Sequence, residues 1–547
     1  MFPRWFFQNP SRTITSAAVV IGATTTVSRI LGLLRDRVLA GEFGASDTLD
    51  TYYAAFRLPD LIFNLIVVGA LSAGFIPVFS AAYQGDRSVD RQHAWRLVNG
   101  TVNTLIVGIG LLAVVLLANA EPLTRMVTPG FSPAQIQQAA SLTRIMLLSP
   151  LLLGVSAVLG GVLQSLKLFF AFSLAPIFYN VGIICGALFL VPWLGVAGLA
   201  WGVVLGALLH LVIQLPAVLA AGYRYRPQFG LRDPELREIF RLMGPRTLNL
   251  AVNQLNLLAI TMVATLLPSG SLAVFTFANN LQSFPLGIFG ISFAIAAFPA
   301  LTELINRPKE FAMTLGVTAR QILFLVLPAA VLLLLLRAQL VRVLLGSGRF
   351  DWEDTIATMD TLAVFTLSLF AQALLPLLIR AFYAHRDSLT PFLVSAGGAA
   401  LNLALAIVLP RLWLPWSTAP LGVVGLALAF TIATVVQFSF LWLLLRWRYG
   451  PLDEAVTGRT VLKIAAGMLA MAGVVQAFKQ FAAPAFGTAT FLGVAIQGAV
   501  AAVLGVSAYL AVCLRLKAPE AQALLAAVRR RAAPSGAGVA SEPSASW

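Results

Sequence analysis

Long apolar runs, which recur from residue 15 to residue 514, constrain the fold of this chain more than any other feature. A helix that crosses the hydrocarbon core of a membrane needs about 20 mainly apolar residues. Because 59% of the 547 residues are hydrophobic and only 11% are charged, the chain has too little polar sequence to cover a soluble surface. The runs also lack the alternation of polar and apolar residues that transmembrane β-strands show. We therefore predict an all-α, polytopic membrane protein.

The apolar runs are bounded by glycine, proline and charge, and they predict about fourteen spans. The spans lie near residues 15–39, 50–80, 97–119, 138–164, 170–192, 195–222, 240–267, 272–302, 313–337, 357–383, 389–410, 421–446, 460–479 and 489–514. Arginine and lysine concentrate in alternate loops, for example in residues 87–96 and 224–241. Since positive loops stay in the cytoplasm, both termini are predicted to be cytoplasmic. This topology accounts for the net charge of +15, so no nucleic-acid partner is predicted.

A weak internal repeat divides the chain into two halves. GALSAGFIPVF at 69–79 resembles GISFAIAAFPAL at 290–301, and two further matches have similar offsets. Six spans in each half imply repeats of the same orientation, with a site near the bilayer midplane between them. The predicted segments are a cytoplasmic N-terminus (1–14), an N-lobe (15–222), a cytoplasmic loop (223–239), a C-lobe (240–446), a C-terminal helix pair (460–514) and a disordered tail (532–547).

The first span carries more charge than a membrane helix normally tolerates. Arg29, Arg35, Asp36 and Arg37 all lie within VSRILGLLRDRVLAGEFGA at 27–45. A charge near the bilayer centre costs about 2.5 to 3.5 kcal/mol on insertion scales, so such residues usually face a cavity or a partner. The alternative for Arg35 and Arg37 is that they extend to the interface near the helix end.

The second span begins with a similar group around Pro59, a residue that breaks or kinks helices. Asp50, Arg57, Asp60 and Asn64 make this segment suitable as the wall of a polar cavity. Arg57 and Asp60 are three residues apart, so they are equally suited to neutralise one another on one helix face.

Amides supply the polar groups of the seventh and eighth spans. Asn249, Asn253 and Asn256 follow i, i+4, i+7 spacing and form one polar stripe, and Asn280 precedes Pro285. Such amides more often join helices, at about 0.6 kcal/mol apiece, than bind a ligand.

No motif for a soluble enzyme is present. The sequence has no P-loop, no G-x-S-x-G and no H-E-x-x-H, and its three histidines lack metal-ligand spacing. Cys185 and Cys513 lie in apolar segments and suggest no disulfide framework. We therefore predict a transporter with no catalytic residues, no metal and no cofactor. The excess of cations within the spans favours an anionic substrate such as a phosphorylated lipid, which arginine binds bidentately.

Several motifs together resemble the MurJ (MviN) lipid II flippases of the multidrug/oligosaccharidyl-lipid/polysaccharide (MOP) exporter superfamily. SRILGLLRDRVLAGEFGA at 28–45 and DTLDTYYAAFRLPDL followed by GALSAGFIPVF at 47–79 are similar to the signatures of the first two helices. The further motifs, in the family's order, are MVTPGF at 126–131, RLMGPR at 241–246, GRF at 348–350 and AFYAHRDSLTP at 381–391. The resemblance implies two six-helix lobes around a central cavity, with the last two helices forming a groove for the lipid tail.

The resemblance also implies site residues. The essential cations of the family's first helix match Arg29 and Arg35, and its characteristic aspartates match Asp36 and Asp50. Arg57 completes the cations expected to contact substrate.

The chain departs from the family at two places. Where many members have arginines after the proline of helix 2, this chain has Phe63 and Asn64, and an arginine of helix 8 is replaced by Asn280. Nearby acidic positions are Val68 and Ser283, so cations and acids are lost together, which suggests a rearranged network. We assign Asn64 and Asn280 to the substrate contacts.

The resemblance implies a flippase of the bacterial cytoplasmic (inner) membrane that moves lipid II to the outer leaflet by alternating access. Asp36 and Asp50 would form a gating charge network. Membrane lipids and cell-wall synthesis proteins are the further expected partners, and dependence on membrane potential or on an ion is left open. The alternatives are a flippase for another lipid-linked oligosaccharide, a MATE-like exporter, or a non-transporting scaffold of the cell-wall synthesis machinery.

Overall fold

A computed structural model describes most of the chain. It covers residues 14–68, 74–83, 88–230, 233–413, 419–481 and 490–532, and within these ranges the side chains of 14–19, 68, 88–90, 240, 242–249 and 527–532 are not described. The described chain is helical and contains no β-strand beyond an isolated bridge between Trp413 and Pro420. This confirms the predicted all-α class.

The helices are labelled in chain order. They are α1 Ile14–Phe43, α2 Asp47–Ala55, α3 Arg57–Ile62, α4 Ile76–Tyr83, α5 Ser88–Ala118, α6 Ala120–Val127, α7 Pro133–Met146, α8 Leu148–Ser165, α9 Phe169–Cys185, α10 Val191–Leu194, α11 Ala197–Val212, α12 Leu215–Ala220, α13 Pro234–Ala264, α14 Ser271–Pro285, α15 Ser292–Glu303, α16 Pro308–Leu335, α17 Arg337–Leu344, α18 Trp352–Thr366, α19 Leu369–Ala384, α20 Leu389–Val408, α21 Gly422–Tyr449, α22 Glu454–Phe481, α23 Phe491–Arg515 and α24 Pro519–Ala532. Short π-helical segments at Phe63–Val68, Gly186–Leu190 and Leu286–Ile291 extend α3, α9 and α14.

Ten of the described helical stretches are long and apolar enough to cross a membrane, and α18 with α19, bent by 47°, would make an eleventh. Each coincides with one predicted span. The charged α1, the interrupted second span and the partly described α13 are not among them. The total of fourteen therefore stays a prediction.

The helices form two compact units. The first contains the described residues within 14–284, 340–368 and 388–440, and the second contains those within 285–339, 369–387 and 441–532. Each unit combines three separate stretches of the sequence. The division into an N-lobe and a C-lobe stays a prediction.

The first unit has a core of large apolar side chains from distant parts of the sequence. Leu39 of α1, Tyr52 of α2, Phe277 of α14 and Phe365 of α18 are all buried in one cluster. This packing brings the charged first helix close to α14, which belongs to the second half of the sequence.

Glycines let α9 and α11 approach at backbone contact in the first unit. A Cβ on Gly182 would lie 2.2 Å from Cα of Gly206, and one on Gly186 would lie 2.3 Å from Cα of Gly202. Small residues at four-residue spacing are the usual means of close helix packing in membranes.

The second unit contains a buried ion cluster that the sequence analysis missed. Arg320 of α16 lies 2.6 Å from Asp453 and 3.6 Å from Glu520, and both Arg320 and Glu520 are almost fully buried. Nearby, the Tyr509 hydroxyl of α23 donates to the Phe324 carbonyl at 2.8 Å. These contacts join α16 to the start of α22, to α23 and to α24.

Candidate functional site

Arg35 of α1 is held by side chains and not extended into open space. Its Nε and Nη2 donate to Oδ1 of Asp36 at 3.0 and 2.8 Å, and its Nη1 donates to Oδ1 of Asn180 at 3.3 Å. The Asp36 side chain is only 3% exposed, whereas that of Arg35 is 24% exposed. The guanidinium therefore neutralises a buried carboxylate and keeps part of its surface open.

Asp36 also connects α1 to α14. Its second oxygen, Oδ2, accepts a hydrogen bond from Nδ2 of Asn280 at 2.9 Å. We call Arg35, Asp36, Asn180 and Asn280 the Arg35 cluster. Asn280 thus stands next to the first-helix carboxylate, where it supplies a neutral donor and leaves Arg35 as the cation paired with Asp36.

Asn180 is the member of this cluster that the sequence analysis did not identify. Its Nδ2 donates to the Pro176 carbonyl at 3.0 Å, within α9, and reaches the Ser28 carbonyl of α1 at 3.5 Å. A single amide four residues after a proline in an apolar helix was the available signal. Its pairing with Arg35 depends on the packing of α9 against α1.

Arg29 lies two turns before Arg35 on α1. Its Nη1 donates to the backbone carbonyl of Ser283 in α14 at 3.2 Å. Both predicted cations of the first helix therefore contact α14, Arg29 directly and Arg35 through Asp36.

Asp50 lies outside the Arg35 cluster and binds backbone groups. Its Oδ2 and Oδ1 accept hydrogen bonds from the backbone N–H groups of Gly270 and Ala273, both at 2.8 Å. A carboxylate in this position satisfies free donors at the start of a helix and interacts favourably with its dipole. Asp50 therefore ties α2 to the first turn of α14.

Further contacts surround Asp50. The Ala45 N–H donates to Asp354 Oδ2 at 2.9 Å, and the Arg349 N–H donates to the Gly41 carbonyl at 2.8 Å. Gly270 has φ +82°, and a Cβ there would lie 2.1 Å from the Ala45 carbonyl oxygen. We call the contacts of residues 37–50 with 270–273 and 343–354 the rim contacts.

Arg37 belongs to this rim as well. Its Nη1 donates to the carbonyl of Val343 in α17. The first helix thus divides its charged residues between two places, with Arg29, Arg35 and Asp36 facing α14 and α9 and with Arg37 at the rim.

The helix break predicted at Pro59 occurs at Phe56, between α2 and α3. Proline has no N–H to offer the carbonyl four residues earlier. That carbonyl, of Ala55, accepts instead from the Thr143 hydroxyl at 3.3 Å.

Arg57 and Asn64 are outside the Arg35 cluster. Arg57 Nε is buried and has no hydrogen-bond partner among the described residues. Arg57 and Asp60, both described, do not form an ion pair. Asn64 donates through Nδ2 to the Asp60 carbonyl of its own helix at 2.9 Å. Their assignment to substrate contacts stays a prediction.

The predicted amide stripe of α13 is partly described. Asn249 lies outside the described side chains, and Asn253 is exposed. Asn256 Oδ1 accepts from Asn402 Nδ2 of α20 at 2.8 Å, so this amide joins two helices.

A histidine and two carboxylates meet at the start of α13. His93 of α5 contacts Glu235 through Nε2, and the ligand atoms of His93, Asp233 and Glu235 lie within 4.8 Å of one another. Such a set is able to ligate a divalent cation. Two contacts account for this arrangement without a bound cation. They are the His93–Glu235 contact and the hydrogen bond from the Glu235 N–H to Asp233 at 3.0 Å.

Comparison with known proteins places these features in a family. The sequence model described as "Lipid II flippase MurJ" matches residues 39–496. A protein of Vibrio cholerae serotype O1, "Probable lipid II flippase MurJ", is 30% identical over 442 residues, which are 79% of this chain and 83% of that one. A "Lipid II flippase MurJ" of Burkholderia cenocepacia is 28% identical over 443 residues, or 79% and 84% of the two chains.

Solved structures show the same fold. "Lipid II flippase MurJ, inward closed conformation" matches with a TM-score of 0.72 and 23% identity, covering 90% of this chain and 98% of that one. An inward-facing multidrug resistance MATE family transporter of the MOP superfamily matches with a TM-score of 0.65 and 15% identity, covering 80% and 99%. The fold is therefore that of the MOP transporters, and the family match over most of the sequence shows that this chain belongs to the lipid II flippase MurJ family.

Proposed function

We propose that this protein moves lipid II, a lipid-linked cell-wall precursor, from the cytoplasmic to the outer leaflet of the bacterial inner membrane. Membership of the MurJ family supports this function. The main structural observation behind it is that Arg29 contacts α14 directly and Arg35 contacts it through Asp36. Both termini would lie in the cytoplasm, and no step of the movement makes or breaks a covalent bond.

Arg29 and Arg35 are the proposed contacts for the diphosphate of the substrate. A guanidinium has five N–H donors. Three of those on Arg35 are engaged, by Asp36 twice and by Asn180 once. Two remain for a phosphate oxygen, and charge-assisted bonds of this kind are about twice as strong as neutral ones.

The binding of an anion beside Asp36 would change the balance of the Arg35 cluster. A phosphate on the two free donors of Arg35 would share the guanidinium charge with Asp36, and the carboxylate would depend more on its bond from Asn280. Arg29 bonds directly to the Ser283 carbonyl of α14, so a phosphate that takes this guanidinium would remove one link between α1 and α14. We propose that the loss of this link lets the two helices move apart.

The rim contacts are the proposed gate. Gly41 lies six residues after Arg35 on the same helix, about 9 Å along its axis at 1.5 Å per residue. The rim contacts are separate hydrogen bonds that involve backbone groups, each contributing about 1.5 to 3 kcal/mol where a carboxylate accepts and about 0.5 to 1.5 kcal/mol otherwise, so each is able to open and re-form. Alternating access would require their separation when the headgroup leaves on the outer side.

Membrane potential is the proposed driving force. Moving one negative charge outward across an inside-negative membrane is favoured by about 2.3 kcal/mol per 100 mV. An anionic headgroup would gain this energy without nucleotide hydrolysis.

Rescue of a bacterium depleted of its own flippase tests the proposal. The measurement is outer-leaflet lipid II, read by its accessibility to an externally added degrading enzyme. We expect the native chain to restore it and Arg29→Ala or Arg35→Ala to reduce it at least about tenfold, because each change removes a charge-assisted hydrogen bond. Arg35→Lys should be intermediate, since it keeps the charge but loses the planar fork.

Arg307→Ala is the matched control. Arg307 is 67% exposed and pairs only loosely with Glu310 at 3.4 Å, so its loss should leave rescue unchanged. Full rescue by the Arg29 and Arg35 variants would refute the proposed contacts. Correct membrane insertion of the native chain without rescue would redirect attention to another lipid-linked sugar or to a scaffold function.

A further inference from the structure

A recess lined by arginines lies in the first unit, away from the Arg35 cluster. It has a volume of about 230 Å³ and is formed by the start of α5 and the segment that follows α12. Three of its lining residues are Arg96, Arg224 and Arg226, and Trp95 lies beside them. The recess belongs to loops that are predicted to be cytoplasmic because of their positive charge.

Asn99 of α5 fixes the first part of the segment after α12. Its Oδ1 accepts from the Tyr223 hydroxyl at 3.0 Å and from the Arg226 N–H at 3.1 Å, and its Nδ2 donates to the Arg224 carbonyl at 3.2 Å. Burial raises the pKa of Tyr223 to about 12, so its hydroxyl stays protonated as a donor. A single buried amide thus holds the backbone of both arginines.

Asn103, one turn further along α5, fixes the second part. Its Nδ2 donates to the carbonyls of Arg226 at 3.1 Å and Gln228 at 2.8 Å, and its Oδ1 accepts from the Tyr225 hydroxyl at 2.8 Å. Every donor and acceptor used by the two asparagines is a backbone group or a tyrosine. The guanidinium groups are therefore not needed to hold the segment in place.

The arginines are arranged for a ligand and not for an internal partner. Arg224 and Arg226 are two residues apart, and both line the recess. Among the described residues, neither they nor Arg96 form an ion pair, and the recess has no carboxylate in its lining. Three arginines without a carboxylate in the lining give the recess a positive potential, which favours a bound anion.

We propose that this recess binds a phosphate-bearing anion. Arginine is the side chain best suited to bidentate contact with phosphate, and Gln228 adds a neutral donor at the edge. Two sources share this chemistry, namely the headgroup of an anionic phospholipid in the neighbouring leaflet and a soluble phosphate compound. The inference rests on this recess alone and does not depend on the proposed flippase function.

Equilibrium binding to the purified full-length protein tests the proposal. The first probe is inorganic pyrophosphate, added to protein in detergent. The second is the lipid bilayer, with protein in nanodiscs of phosphatidylcholine that contain or lack phosphatidylglycerol, followed by native mass spectrometry of retained lipid. We expect Arg224→Gln/Arg226→Gln to weaken the binding of the preferred probe at least about tenfold, and Arg96→Gln to weaken it as well.

The control is Arg307→Gln/Lys309→Gln, which removes the same charge from the exposed start of α16 and should leave binding unchanged. Pyrophosphate binding that needs the recess arginines identifies a soluble phosphate source, and retention of phosphatidylglycerol that needs them identifies the lipid headgroup. If neither probe binds in a way that depends on these arginines, or if the control has the same effect, the proposal is wrong. Thermal unfolding of each variant establishes that it is folded.

Discussion

Single side chains of the first helix have sharply different environments although they are close in sequence. Asp36 accepts from Arg35 and Asn280, whereas Arg37 donates to the rim at Val343. Successive residues on a helix point about 100° apart, so neighbours in sequence face different partners. Asn280 has a clear local role, because its amide donates to Asp36 without adding a charge.

Asp50 provides a prediction at this scale. In the native protein each carboxylate oxygen of Asp50 accepts one backbone N–H bond. Asp50→Asn replaces one of these oxygens by an NH₂ group, which is a donor and leaves one backbone N–H without an acceptor. We expect the free energy of unfolding to fall by about 1 to 3 kcal/mol, the cost of leaving a buried donor unpaired. Thermal unfolding in detergent measures it.

Asp47→Asn is the control for this change. Asp47 is exposed and lies three residues earlier in the same helix, so the same substitution should alter stability by less than about 0.5 kcal/mol. Equal effects at both positions would contradict the capping role of Asp50.

At the scale of the helices, the contacts of α9 define how closely two spans pack. Gly182 and Gly186 meet Gly206 and Gly202 of α11 at distances that leave no room for a side chain. The opposite face of α9 carries Asn180, which binds Arg35 of α1. The packing of α9 against α11 therefore affects where the Asn180 amide is presented to the cluster.

Gly206→Leu tests this packing. A Cβ at Gly206 would lie 2.5 Å from the Tyr179 carbonyl oxygen, so the helices must separate. Overpacking of this kind typically costs about 1 to 3 kcal/mol, and the displacement of α9 should also reduce flipping. Unfolding temperature and the lipid II accessibility assay measure the two effects.

Gly108→Leu, in α5, serves for comparison. Among the described residues, a Cβ at Gly108 would have no heavy atom within 4 Å apart from the backbone of its own helix. This change should leave both stability and flipping near the native values. A similar loss at both glycines would mean that leucine itself, and not the helix contact, causes the defect.

At the scale of the whole molecule, the membrane orientation is open to a direct test. Trp193, after the fifth predicted span, is 87% exposed, and Arg307 follows the eighth. With Cys185 and Cys513 replaced by alanine, we expect Trp193→Cys to react with a membrane-impermeant thiol reagent in intact cells. Arg307→Cys should react only after permeabilisation, because loops rich in arginine and lysine stay in the cytoplasm. The reverse pattern would overturn the predicted topology.

The sequence by itself determined the helical membrane class and the positions of most spans, and it identified Arg29, Arg35 and Asp36 as candidate site residues. These follow from local properties, since hydropathy is read over about 20 consecutive residues and a charge within such a run stands out. The family motifs are equally local.

Only the tertiary structure decided the partners. Asn180 binds Arg35 from 145 residues away, and Asp50 caps a helix that begins 221 residues later. The asparagines of α5 hold the arginines of the recess across more than 120 residues. The physical reason is that hydropathy indicates which segments enter the membrane, whereas the direction and partner of each polar side chain depend on how the helices pack against one another.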